Sequence, residues 1–208
     1  TPQLTDGGRA HIADRKRLGE ALWGQGLGIL YASIFCLHLL LMAAFTAIPA
    51  VIIEQVGLPP EQHAWLYLAT LCAALPGVAM LVRRSQALDD SRPLLALSVL
   101  LTVLGLVTAL WAPSLLVLGM GLILFFMGFT ALETILPALV SIVAPTSLRG
   151  TAMGIFSSAQ FLGVFTGGAL GGNALHVGGA LGLVTVLSML TGIWLAGLWR
   201  YGRAPMAV

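Results

Sequence analysis

Glu133 is the only acidic residue inside an apolar segment of this sequence, and few inert roles suit a carboxyl group in that setting. It lies about ten residues from the polar end of its segment near Val143, which as a helix is ~15 Å deep at 1.5 Å per residue. Insertion scales put an acidic side chain near a bilayer centre at a cost of about 2.5–3.5 kcal/mol, so it is retained only against a cavity or a partner. A carboxyl group so placed is a candidate proton carrier or cation contact. The alternative is a protonated structural Glu bonded to a neighbouring helix. Thr130, Pro137 and Ser141 share its face at three- and four-residue spacing, which makes a polar stripe.

Two further side chains join the candidates for proton or substrate binding. His38 lies about a third of the way into the first apolar segment, with Met42, Thr46 and Pro49 following on its face. An intramembrane imidazole can relay protons or bind substrate. Equally, it can sit neutral against a Ser or a carbonyl, and no sequence neighbour supplies a partner, which favours the structural role. Gln160, with Ser157 and Ser158, puts hydrogen-bonding groups part-way along the fifth segment, and either a cavity or a packed position suits it.

The elements that must position these residues are read from hydropathy. Apolar segments cover 29–53, 63–82, 93–111, 115–142, 150–172 and 180–199, each near or above the roughly 17–25 residues that cross a ~30 Å hydrocarbon core. The 208 residues are 58% hydrophobic and 9% charged, against about 25% charged in soluble domains, so the chain has too little polar surface to coat a soluble globule. Threaded alternately, the six segments put all ten basic residues on one side. Arg9, Arg15, Lys16 and Arg17 come first, then Arg83, Arg84 and Arg92, then Arg149, then Arg200 and Arg203. The opposite connections carry Glu54 and Glu61 but neither Lys nor Arg, which by the positive-inside rule predicts both ends in the cytoplasm. Trp65 and Trp111 fall at outer ends, and Trp23, Trp194 and Trp199 at inner ends, as an aromatic belt requires.

The expected fold is therefore an all-α membrane protein of six transmembrane helices spanning 29–200. A cytoplasmic linker at 1–28 precedes them and a tail at 201–208 follows. The segments repeat in character. The first and fourth carry deep polar or kinking residues, the second and fifth carry Pro or Gly, and the third and sixth are plain Leu/Val/Ala/Gly stretches. Three is odd, so a second set of three must be inverted, which predicts an inverted three-plus-three repeat. The fifth segment, opened by Thr146-Ser147 as an expected N-cap, contains Gly150, Gly154, Gly163, Gly167, Gly168, Gly171 and Gly172. Small residues at four-residue spacing let membrane helices approach closely. The beginning at Thr1, without an initiator Met, suggests a piece of a longer chain.

Other chemistries find little support. Cys36 and Cys72 lie inside segments, where thiols pack as small apolar groups, and there is no CxxC, HExxH or spaced Cys/His cluster; no metal or cofactor is expected. Gly24, Gly26 and Gly28 follow no strand, so they do not make a nucleotide loop. The net charge of +2 is spread over loop anchors rather than a nucleic-acid footprint. An intramembrane protease needs a nucleophile with a base, but Ser157 lacks a Gly-x-Ser-x context and His38 is the lone intramembrane His, so no enzyme is expected. A non-transporting six-span receptor or assembly subunit stays open as an alternative.

The run from Ala144-Pro145-Thr146-Ser147-Leu148-Arg149-Gly150-Thr151-Ala152-Met153-Gly154 through Ile155–Gly163 resembles the tenth-to-eleventh helix region of major facilitator superfamily transporters, especially their YajR-type drug/proton antiporter branch. Leu132-Glu133-Thr134-Ile135-Leu136-Pro137 and Gly167-Gly168-Ala169-Leu170-Gly171-Gly172 look like that branch too. The resemblance implies the C-terminal six-helix half of a twelve-helix, proton-coupled exporter of small or drug-like compounds in the bacterial inner membrane. Its partners would be substrate, protons, the bilayer and the missing N-terminal half. It also implies a cavity lined by the first and fourth helices, with the second and fifth meeting the other half. An Asp of that half would dock at the amide-rich start of the fifth helix, giving Arg149, Gly150 and Gly154 a place in a cytoplasmic gate. The loop 83–92 keeps only the charge character of the family's basic inter-helix motif.

Overall fold

The computed structural model describes Gly19, residues 24–88 and residues 90–201. The first four basic residues, Trp23, Asp89, Arg203 and most of the linker and tail lie outside the described residues. Within them the fold is all helix. A 3₁₀ turn at Gly24–Gly26 leads into α1, Leu27–Val51, which continues as a π-helical turn over Ile52–Val56 and stops at Gly57 with φ 75°. Then come α2 (His63–Gln86), α3 (Arg92–Leu110), α4 (Leu115–Val143) and α5 (Arg149–Tyr201). All five are long and apolar enough to cross a membrane. This is the architecture of an all-α membrane protein.

The helix α5 contains 53 residues, ~80 Å if straight, more than twice the thickness of a hydrocarbon core. It is not straight. Gly179 takes φ 58° and ψ −156°, a conformation open to glycine and closed to residues with a Cβ. The break divides α5 into arms 149–178 and 180–201, which cover the fifth and sixth apolar segments. A Cβ at Gly182 would sit 3.0 Å from the Ala174 carbonyl oxygen, so the second arm turns back over the first.

Glycine contacts set the direction and pairing of the helices. A Cβ at Gly163, Gly167 or Gly171 would come closer than 3.0 Å to the backbone of Phe35, Leu39 or Ala43 respectively. The numbers ascend together, so α1 and the first arm of α5 run parallel with backbones in contact. On the other side of the molecule, Gly105 meets Phe125 and Gly121, Gly121 meets Ala109, and Gly128 meets Ser98 and Thr102. Those numbers run oppositely, so α3 and α4 are antiparallel. The short turn between α2 and α3 makes α2 parallel to α4, against which Gly77 lies on Met127. Thus α1 packs on the two arms of α5, and α4 packs on α2 and α3.

The core is continuous through α1 and α4, where Leu27, Ile34, Leu37, Leu40, Ile48, Leu118, Leu122 and Phe125 are fully enclosed. Four of its buried Ser and Thr hydroxyls are satisfied locally, whereas the enclosed Tyr67 hydroxyl has no hydrogen-bond partner among the described residues. Ser98 donates to the Leu94 carbonyl, Thr102 to Ser98, Thr191 to Leu187 and Thr70 to Leu66, each one turn back along its own helix. A polar tie joins the second arm of α5 to α1: the Trp194 indole donates to Ser33 Oγ at 2.8 Å, and Ser33 donates on to the Ile29 carbonyl at 2.7 Å. The second arm of α5 is thereby fastened to the start of α1. The expected cap at Thr146-Ser147 is absent. The chain instead enters α5 through a 3₁₀ turn closed by Leu148 N–H on the Pro145 carbonyl.

Candidate functional site: a His–Gln–Glu cluster across three helices

Three of the four candidate residues meet. His38 comes from α1, Glu133 from α4 and Gln160 from the first arm of α5. The Gln160 amide nitrogen lies 2.9 Å from His38 Nε2 and 3.3 Å from Glu133 Oε1. His38 Nε2 is in turn 3.6 Å from Glu133 Oε2. His38 thus has this pair as partners across helices while also making the carbonyl contact expected of a structural histidine. His38 stands three residues past and Gln160 three residues before the Phe35–Gly163 contact of the parallel seam, an axial offset of ~9 Å that their long side chains bridge.

The direction of each bond follows from the chemistry of the atoms. His38 Nδ1 lies 3.2 Å from the Ile34 carbonyl oxygen, which can only accept, so Nδ1 carries a hydrogen. In the neutral ring Nε2 is then a bare acceptor. The two amide hydrogens of Gln160 serve it and Glu133 Oε1 together. Glu133 Oε2 is left buried and without a hydrogen bond. A buried carboxylate oxygen lacking a donor carries an uncompensated desolvation cost.

The cluster is closed on one side and open on the other. The His38 side chain is only 7% exposed, whereas Glu133 is 36% exposed despite its enclosed Oε2. The Phe129 ring meets the imidazole edge-on at 5.7 Å, and Phe125 stacks on Phe129 at 5.9 Å, forming an apolar wall from α4. The open side is the half-exposed stripe Thr130, Glu133, Thr134, Pro137 and Ser141. Thr130 shares that stripe but stays outside the cluster, its carbonyl taking a hydrogen bond from Thr134 at 2.8 Å.

The residues expected at the cytoplasmic gate and in helix packing separate into two kinds. Gly163 and Gly167 are buried in the α1–α5 seam. Gly150 and Gly154 have open space where a Cβ would be, and Arg149 beside them is exposed. Two features escaped sequence reasoning, the Phe129 wall and the Trp194–Ser33 tie. A lone Ser and a lone Trp in apolar segments give no sign of pairing 161 positions apart.

Fold and site define a polytopic helical membrane protein with an ionisable cluster at the junction of three helices. No family model matches the chain. It is 35% identical over 168 residues, 78% of its length, to the inner membrane transport protein YajR of Escherichia coli. It is also 31% and 32% identical to uncharacterized transporters of two Buchnera aphidicola strains, over 66% and 67% of its length. The chain spans about a third of these relatives, 36%, 35% and 36% respectively. By sequence, the chain is related over most of its length to YajR-type transport proteins.

Proposed function

We propose that this chain is the C-terminal six-helix half of a major facilitator transporter. By this reading it exports small or drug-like compounds by alternating access, driven by protons, in a bacterial inner membrane with both chain ends in the cytoplasm. The observation that carries the proton coupling is Glu133 Oε2, buried without a donor and 3.6 Å from His38 Nε2. Inversion of the second three-helix set is supported by the packing of α1 on the arms of α5 and of α4 on α2 and α3. The inner-membrane location is supported by the name of the Escherichia coli relative.

The proton cycle follows from the hydrogen-bond directions. With His38 neutral, Gln160 donates to both partners and ties α1, α4 and α5 together. A proton arriving at His38 Nε2 turns that atom into a donor, so the Gln160 N–H group can no longer face it. The imidazolium then turns to Glu133 Oε2, and Gln160 is released or flips its amide. A proton arriving at Glu133 instead removes the charge on the open side. Either event exchanges interhelical bonds at the seam between α1 and α5, which gives protonation leverage over helix position. Thr130 borders the same open stripe and is assigned to substrate contact. Arg149, Gly150 and Gly154 are assigned to the cytoplasmic gate, where the free amides at the start of α5 favour an acidic partner from the other half.

The test is Glu133→Gln in the complete transporter, reconstituted in proteoliposomes. Flux should lose its dependence on pH while membrane insertion stays intact. An unchanged pH profile would remove Glu133 from the proton pathway.

A further inference from the structure

A second feature lies at the C-terminal end of α2, apart from the cluster. A cavity of about 380 Å³ opens between the end of α2 and the start of α3, lined by Arg84, Ala87, Leu88, Pro93, Leu94 and Leu97. Its one charged lining residue among the described residues is Arg84. Among the described residues, the Arg84 guanidinium makes no ion pair or side-chain hydrogen bond. Nearby Arg92 is occupied. It bonds the Asp90 carboxylate through Nε at 2.8 and 3.0 Å and through Nη2 at 2.6 Å, and stands 5.7 Å from the centre of the Trp199 ring. The cavity therefore offers one uncommitted cation above an apolar floor.

The floor does not end at the cavity. Leu97, Leu100 and Leu104 are 44%, 52% and 56% exposed and recur at three- and four-residue spacing, so they continue one face of α3. From Leu97 to Leu104 this stripe runs ~10 Å along the helix toward the membrane interior. A cation at the polar end and an exposed leucine track below it match a molecule with an anionic head and a hydrocarbon tail. Basic pockets between transmembrane helices at the cytoplasmic face take such headgroups.

We propose that this groove binds an anionic phospholipid, with Arg84 on the phosphodiester and an acyl chain lying along Leu94, Leu97, Leu100 and Leu104. The site is independent of the transport cycle and rests only on the chain being embedded in a bilayer. Bound there, the lipid would fix the α2–α3 turn relative to the membrane surface.

Native mass spectrometry of the complete transporter tests this, titrating phosphatidylglycerol or phosphatidylcholine of identical acyl chains. The wild type should bind the anionic lipid about fivefold more tightly, the effect of one basic residue near the membrane surface. Arg84→Gln should abolish that preference, and Arg83→Gln, outside the lining, should keep it. Leu97→Trp, filling the track, should weaken both lipids. Glycerol phosphate, a head without a tail, should not compete. Equal binding of the two lipids by the wild type would overturn the proposal, as would equal losses in the two arginine variants. Displacement by glycerol phosphate would equally overturn it, leaving a free-phosphate site.

Discussion

Two seams in this molecule use the same device to different ends. Between α3 and α4, Gly105, Gly121 and Gly128 bring two antiparallel backbones into contact. Between α1 and the first arm of α5, Gly163, Gly167 and Gly171 do the same for two parallel ones. The difference lies in the neighbouring polar groups. Ser98 and Thr102 beside the first seam bond only within α3, so nothing there depends on a proton. His38 and Gln160 beside the second bond across helices and on to Glu133, leaving one oxygen without a donor. Close backbone packing therefore does not by itself mark a functional interface. What separates the seams is whether polar satisfaction is local or shared between helices.

Four substitutions in the purified protein probe that contrast, in order of falling effect. Gly128→Val forces a side chain into the Ser98 carbonyl and Thr102. Overpacking costs about 1–3 kcal/mol and more against unyielding backbone, so folded protein should nearly vanish from size-exclusion profiles. Normal yield would mean that the first seam is looser than its geometry implies. Gln160→Leu removes the donor shared by His38 and Glu133, which should cost about 1–3 kcal/mol and make the thermal midpoint more sensitive to pH. A midpoint shift that is the same at every pH would reduce the cluster to simple packing.

Trp194→Phe deletes the indole donor to Ser33 and should cost about 1 kcal/mol. Combined with Ser33→Ala, the losses should be less than additive, because one bond is removed twice. Additive losses would deny the tie. Ser98→Ala removes a hydroxyl bonded within its own helix and should change stability by less than about 1 kcal/mol, with no pH dependence. A pH-dependent change there would erase the distinction between the seams.

The legible parts of this fold were those that follow from composition along one segment. Length and apolarity delimited the segments, and the structure moves most boundaries by only a few residues: α1 begins at Leu27 rather than 29, and α2 reaches Gln86 rather than 82. That Glu133 needs a partner was legible, because an acid in an apolar run is costly wherever it faces. The cross-helix partners of His38 were not legible, for the complementary reason. They lie 95 and 122 positions away, and hydropathy along a chain does not say which helices abut. The glycine row of the fifth segment announced a close seam without naming α1 as its other side. Thr130 illustrates the opposite limit, since sharing a face with Glu133 did not bring its hydroxyl into the cluster. The break at Gly179 was legible only as a gap between apolar stretches, and the expected cap at Thr146-Ser147 gave way to a tighter turn.

The central claim is that Glu133 exchanges a proton within a unit formed with His38 and Gln160. The most direct measurement is pH-difference infrared spectroscopy of the complete transporter in lipid, following the carbonyl stretch of protonated carboxyl groups. A band that appears on acidification, disappears in Glu133→Gln, and shifts in both His38→Gln and Gln160→Leu is the predicted result. A band that persists unchanged in Glu133→Gln would place the titrating carboxyl elsewhere and contradict the account.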